Sequence, residues 1–390
     1  MIVFLKDLGL LLIWLFTATL ASIGFSPGAV VAPDLEPPVR ILIENPYENR
    51  REIEPVKETA TAENDGHEKQ NGSETPQEAT AGADPFKELA DAFAKLAEEK
   101  TIPPLDTPSF AGNANDLVRS ALVNIICVTE TSGPFNSISA SGVIIDSRGV
   151  ILTNAHVAQY FLLENYPKPG FVECTIRTGS PATAKYTAEL LYLPPSWITQ
   201  NAQKIDDENP TGNGEHDYAL VRITGTVSKN ITMPNSFPAL PVSLGTPDTG
   251  DSVLVAGYPA GFLGGITIAK ELYAVSAQAK VGQLFTFGSQ SIDLYSIGGT
   301  VVAQQGSSGG AVANQKGTLV GLVVTATDAP DTASRDLRAL TTEYIVNDFK
   351  KETGVSLPDF LSPNLTERAL SFRLVTMPSL TKALTDVLEK

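Results

Sequence analysis

The chain has 390 residues, with 28 Lys+Arg against 44 Asp+Glu, a net charge of −16 and a pI near 4.7. That balance excludes nucleic-acid binding as a default, since a phosphate backbone requires a basic face. Two Cys exclude a disulfide-dense scaffold and a four-Cys zinc site, and three His (His67, His156, His216) exclude a His-rich metal centre, so neither metal nor cofactor is expected.

Residues 8–25 carry no charge, a length that just spans a hydrocarbon core at about 1.5 Å per residue. Lys6 and the terminal amine precede the stretch, while Asp34 and Glu36 follow it. This bias puts the amino terminus inside and the rest outside. Residues 1–25 therefore read as a signal anchor that contacts the membrane, or as a signal peptide cut near Thr19-Leu20-Ala21. Both readings export the bulk of the chain, either anchored on the extracytoplasmic side or released as a secreted or periplasmic protein.

From 26 to 83 the text is rich in Pro, Glu, Thr, Asn and Gly, and residues 34–100 hold 17 acidic against 8 basic side chains. Such a segment buries too little apolar surface to offset its chain entropy, which predicts a disordered acidic linker. Residues 84–101 interrupt it. Asp84 caps, Pro85 suits a first turn, and Phe86, Leu89, Ala90, Phe93, Leu96 and Ala97 recur at helical spacing. This amphipathic helix (84–100) either docks on the chain's own domain or makes a homo-oligomer.

Beyond Pro104 the text turns to short β-rich runs: ALVNIICVTE (121–130), SGVIIDSRGVILTNAHV (141–157), FVECTIRTG (171–179), YTAELLYL (186–193), DYALVRITG (217–225), DSVLVAGYP (251–259), LYSIGGTVVA (294–303) and GTLVGLVVTAT (317–327). Ser147-Arg148-Gly149 makes a tight hairpin turn. Close spacing without long helices between predicts an all-β fold of antiparallel barrels or sandwiches. Only the tail reads as helical, at 344–352 and 379–390.

Three segments carry chemistry. Thr153-Asn154-Ala155-His156 ends a strand, His216-Asp217-Tyr218-Ala219-Leu220 opens one, and Gly306-Ser307-Ser308-Gly309-Gly310 sits in a turn. A hydroxyl is a weak nucleophile that needs a base and a group to orient that base. Histidine suits the base role, a buried carboxylate fixes its tautomer, and flanking glycines let peptide N–H groups of Gly306 and Ser308 face a developing oxyanion. An α/β-hydrolase elbow is excluded, because its histidine follows the serine and none follows Ser308. Subtilisin order would use Asp146 and His156 at two ends of one hairpin, without the helix expected after the serine. His216 competes for the base role, but adjacent side chains on an extended segment point to opposite faces.

These blocks, SGVIIDSRGVILTNAHV, HDYALVRI and QGSSGGAV, resemble the three catalytic blocks of trypsin-like serine peptidases, the HtrA/Deg branch in particular. The resemblance implies two antiparallel six-stranded barrels with the active site between them, over 113–240 (His and Asp) and 241–354 (Ser), with 355–390 as a C-terminal extension containing a helix. It implies His156 as general base and acid, Asp217 as orienting carboxylate, Ser308 as nucleophile, and Gly306 and Ser308 as oxyanion donors. Where trypsin-like enzymes that cut after basic residues carry an acid, this chain has Val302. With Val323, Val324, Thr325 and Ala326 as a further wall, the implied pocket takes small or aliphatic side chains.

About 36 residues follow Gly354, too few for the PDZ domain usual in that branch; 337–343 and the next helix are expected to close the second barrel, with 379–390 packed across it. Cys127 and Cys174 fall on strands that neighbour each other when such a barrel closes. A bridge closing that loop contributes on the order of 3–4 kcal/mol; two buried free thiols are the alternative. The expected function is an exported serine endopeptidase acting on protein or peptide substrates through an acyl-enzyme. A non-catalytic binding protein on the same fold and an esterase remain as alternatives.

Overall fold

The structure, a computed structural model, describes residues 112–129, 136–207, 212–261, 263–288, 291–326, 332–362 and 364–390; the side chains of Asn113, Ile266, Thr325 and Ala326 are not among those described. The expected anchor or signal (1–25), linker (26–83) and helix (84–101) lie outside the described residues, as do His67 and the membrane and self-association contacts assigned to those segments. Among the described residues no helix is long and apolar enough to cross a membrane.

A short helix that the sequence reading missed, α1 (Gly112–Ala121), leads into the first barrel and buries Ala114, Val118 and Ala121. Six antiparallel strands then close on themselves: β1 (Leu122–Thr129), β2 (Ile138–Asp146), β3 (Val150–Thr153), β4 (Val172–Thr178), β5 (Thr183–Tyr192) and β6 (Ala219–Thr226), in the order β1-β2-β3-β6-β5-β4. The β2–β3 hairpin turns at Gly149, whose φ of +86° is open to glycine at little steric cost, with its N–H donating to the Asp146 carbonyl at 2.9 Å. Closure brings β1 against β4, and Cys127 pairs in register with Cys174. The two form a disulfide.

The second sheet departs from expectation. It is an open, seven-stranded half-barrel, ordered β8-β7-β11-β12-β13-β10-β9 among the described residues, rather than a closed six-stranded barrel. Its strands are β7 (Ser252–Gly257), β8 (Val275–Lys280), β9 (Leu284–Phe285), β10 (Leu294–Gly298), β11 (Ala311–Ala313), β12 (Leu319–Ala326) and β13 (Leu337–Thr341). The reason lies just after β8. There the Gly282 N–H donates to the Ser296 carbonyl and the Ser296 N–H to the Gln283 carbonyl, each at 2.8 Å. Two isolated bonds draw the edges together where a closed barrel needs a continuous ladder, and β9 is two residues long.

Past β13 the chain becomes helical. α2 (Thr342–Thr353) starts at Thr341, whose side chain accepts from the Tyr344 N–H, and stops at Gly354 in the left-handed region. α3 (Leu357–Leu361), α4 (Leu365–Ser371), a π-helical turn (Phe372–Thr376) and α5 (Met377–Leu388) follow. This extension packs on the first barrel, not across the second as the sequence suggested. Phe349, Phe360 and Phe372 gather around Tyr192 of β5, with ring centroids 4.7, 6.3 and 6.3 Å away. Thr381 of α5 donates to the Leu162 carbonyl at 3.1 Å. Edge-to-face aromatic packing is what turns the tail back, since each ring adds contact energy beyond its buried area.

Candidate active site

His156 lies one turn beyond β3, in a four-residue helix Ala155–Ala158 introduced by Asn154. Asp217 lies two residues before β6, which pairs with β3 through Thr153 and Ala219. Adjacent strands thus carry both side chains to one end of the barrel. The Asp217 carboxylate, buried at 6% exposure, accepts from the His156 N–H at 3.0 Å and sits 2.7 Å from Nδ1. Asn154 Nδ2 donates to the Asp217 carbonyl at 2.8 Å, tying the two strand ends together. A carboxylate on Nδ1 selects the tautomer that leaves Nε2 free to accept a proton.

The Ser308 turn is seated against this barrel by backbone contacts. Ser141 of β2 donates its N–H to the Ser308 carbonyl at 2.8 Å and its hydroxyl to the Gly306 carbonyl at 2.7 Å. The same hydroxyl accepts from the Tyr258 N–H at 2.8 Å, and Thr153 Oγ1 donates to the Ser141 carbonyl at 2.8 Å. Gly309 has φ +81°, and a Cβ there would lie 2.1 Å from the Ser141 oxygen and 2.5 Å from Thr153 Oγ1. Ser141 and Thr153 thus bind the serine turn to the strand that leads to His156. Sequence reasoning missed both, because a single hydroxyl on a strand has no pattern to mark it; their position inside the matched blocks was the only available signal.

Gly306 also has positive φ (+91°), and the Gln305 carbonyl accepts from the Ala260 N–H at 2.7 Å. In a planar trans peptide C=O and N–H point oppositely, so this bond turns the Gly306 N–H away from Ala260. Among the described residues neither the Gly306 nor the Ser308 N–H has a protein acceptor. Ser308 Oγ is not hydrogen-bonded to His156 in this structure; such bonds are often long in free enzymes and tighten on substrate.

A family model for the trypsin-like peptidase domain matches residues 140–322, a span containing His156, Asp217 and Ser308. The chain carries a trypsin-like serine peptidase domain. It is a serine endopeptidase, and no curated protein sequence matches it significantly. Among solved structures, it is similar to a serine endoprotease from Yersinia pestis (20% identity, 63% of this chain and 67% of that one, TM-score 0.39). It is also similar to an inactive form of Rv3671c from M. tuberculosis H37Rv (17% identity, 67% of this chain and 98% of that one, TM-score 0.40).

Burial pulls the His156 imidazole of this peptidase toward its neutral form, but the charge and hydrogen bond of Asp217 outweigh it and hold its pKa above the ordinary 6.5. His216 is turned elsewhere. Its φ of +58° departs from the extended chain assumed from sequence, and its Nδ1 lies 2.7 Å from Asp348 Oδ2 on α2. The residues expected to wall the pocket are packed in: Val302 and Val323 are 0% and 1% exposed in the core of the second sheet, and Val324 is 3% exposed. Thr325 and Ala326 fall among the side chains not described. Among the described residues no cluster of His, Cys, Asp or Glu could hold a metal.

Proposed function

We propose that this trypsin-like peptidase cleaves through Ser308, His156 and Asp217. Ser308 Oγ attacks the scissile carbonyl while its proton passes to His156 Nε2. The Gly306 and Ser308 N–H groups take the oxyanion, the leaving amine receives the proton from His156, and water then repeats the sequence on the acyl-enzyme. The observation that carries the reading is the contact between His156 Nδ1 and Asp217 Oδ2, 2.7 Å across 61 residues of chain. Its neighbour, the Ser308 turn, is held by Ser141 and Thr153. The test is a fluorophosphonate probe: the enzyme is labelled at Ser308 and the Ser308→Ala form is not. A folded protein that resists the probe would instead be a binding protein on this fold.

The specificity reading is cleavage after small or aliphatic residues. Val302 supports it, because a buried valine at the position where basic-specific relatives hold an acid offers no charge to Lys or Arg. A peptide-library digest yielding mainly Arg or Lys at the cut would overturn it. The HtrA/Deg-like assignment and export remain part of the same proposal. Residues 8–25 support export, and so does the Cys127–Cys174 bridge, since disulfides persist in oxidising compartments. Fractionation of cells expressing the tagged chain tests it.

A further inference from the structure

The segment that delivers Asp217 is not an ordinary strand start. Gly214 and His216 both have positive φ, +90° and +58°, the Asp217 N–H donates to the Gly214 carbonyl at 3.1 Å, and the Tyr218 N–H to the His216 carbonyl at 2.9 Å. A backbone folded this tightly at a non-glycine residue persists only when its surroundings over-determine it.

Those surroundings are one face of α2. Asp348 Oδ2 sits 2.7 Å from His216 Nδ1 and accepts from the Tyr218 hydroxyl at 3.0 Å, while the His216 N–H donates to the Tyr344 hydroxyl oxygen at 3.0 Å. One buried carboxylate therefore grips the residue before Asp217 and the residue after it. Asp348 is 6% exposed, His216 8% and Tyr218 0%. Burying a carboxylate is costly unless it is paired and hydrogen-bonded, and here both partners come from the segment bearing Asp217. The only other carboxylate within ion-pair reach of His216 among the described residues is Glu215, 3.9 Å from Nε2.

We propose that Asp348 is a positioning residue of the peptidase: through His216 and Tyr218 it fixes the backbone on both sides of Asp217, and hence the carboxylate that orients His156. Helix α2 follows directly from β13, so the second sheet's last strand sets the acid of the first barrel. The inference rests on the triad reading above. A displacement of the order of 1 Å at a reacting group costs about 10²-fold in rate, which sets the effect to look for.

The experiment compares wild type with Asp348→Asn and with the milder Tyr218→Phe, which deletes one hydroxyl and keeps the ring. Three quantities are read: kcat and KM on a peptide substrate, the rate of fluorophosphonate labelling, and the downfield NMR signal of the proton between His156 and Asp217. Asp348→Asn is expected to lower kcat about 10–100-fold with KM little changed, to slow labelling at Ser308 in step, and to shift or broaden the downfield signal. Tyr218→Phe should move all three the same way by a smaller factor. Unchanged kcat and downfield signal in both variants, with only the melting temperature lowered, would reduce Asp348 to a structural group and overturn the proposal. If Asp348→Asn fails to fold, Tyr218→Phe decides alone. Wild type that never labels would instead defeat the triad reading, so the two failures are distinguishable.

Discussion

Gly309 offers the sharpest perturbation of how Ser308, the proposed nucleophile, is seated. Replacing it with Ala adds one carbon, which would lie 2.1 Å from the Ser141 carbonyl oxygen and 2.5 Å from Thr153 Oγ1. Real Cβ contacts essentially never fall under 3.0 Å, so the turn and β2 must separate by about 0.9 Å. Both neighbours are backbone or tightly bonded, so no flexible side chain absorbs the change. Left-handed φ at a residue with a Cβ costs about 1–2 kcal/mol, and overpacking a filled site roughly 1–3 kcal/mol more. A loss of roughly 2–5 kcal/mol is expected, with turnover down about 10²-fold because the hydroxyl moves with its turn. Urea unfolding would be measured in a Ser308→Ala background to prevent self-digestion, and turnover on a small ester with Ser308 intact. Turnover within about threefold of wild type, with stability within about 0.5 kcal/mol as at an unconstrained surface site, would show that the turn is not held against Ser141 and Thr153.

Asp217→Asn keeps the shape but permits the wrong imidazole tautomer, and kcat is expected to fall about 10⁴-fold, measured on the same ester. The pH profile carries a sign. His156 is raised above 6.5 by Asp217, so the acid limb of kcat/KM should lie above pH 6.5 in wild type and shift to lower pH in any variant that removes the Asp217 charge. Cys127→Ser with Cys174→Ser should lose roughly 3–4 kcal/mol in urea unfolding, the entropy of the loop the bridge closes. Wild type treated with a reductant strong enough to open a buried bridge should fall to the same stability.

The three blocks of the proposed site stood out in the sequence because each couples a chemical group to a local backbone demand. His156 follows a hairpin with a glycine turn, and Ser308 is bracketed by Gly306 and Gly309, both at positive φ. The first barrel was legible for a related reason: β1, β3 and β6 are runs of Val, Ile and Leu long enough to be read. β8 was not, since Val275–Lys280 is an edge strand whose alternating apolar positions hold one Val and two Ala, side chains too small and too exposed to stand out. LYSIGGTVVA reads as one strand, but Gly298 at φ +74° ends β10 and Val302 belongs to a turn. The helices after Gly354 are short, and Pro358 and Pro378 sit in the first turns of α3 and α5, which hides their period. The Asp348 grip was invisible in principle, because its partner His216 lies 132 residues away in sequence and only folding pairs them.

The route of the tail also governs timing. Leu380 and Leu384 are buried, and α5 packs on the turn 159–163 that continues from His156, so the helix on that turn is the last described portion to leave the ribosome. The barrel end that carries His156 therefore gains its last packing partner only once residue 384 has been made, after residue 308 of the proposed triad.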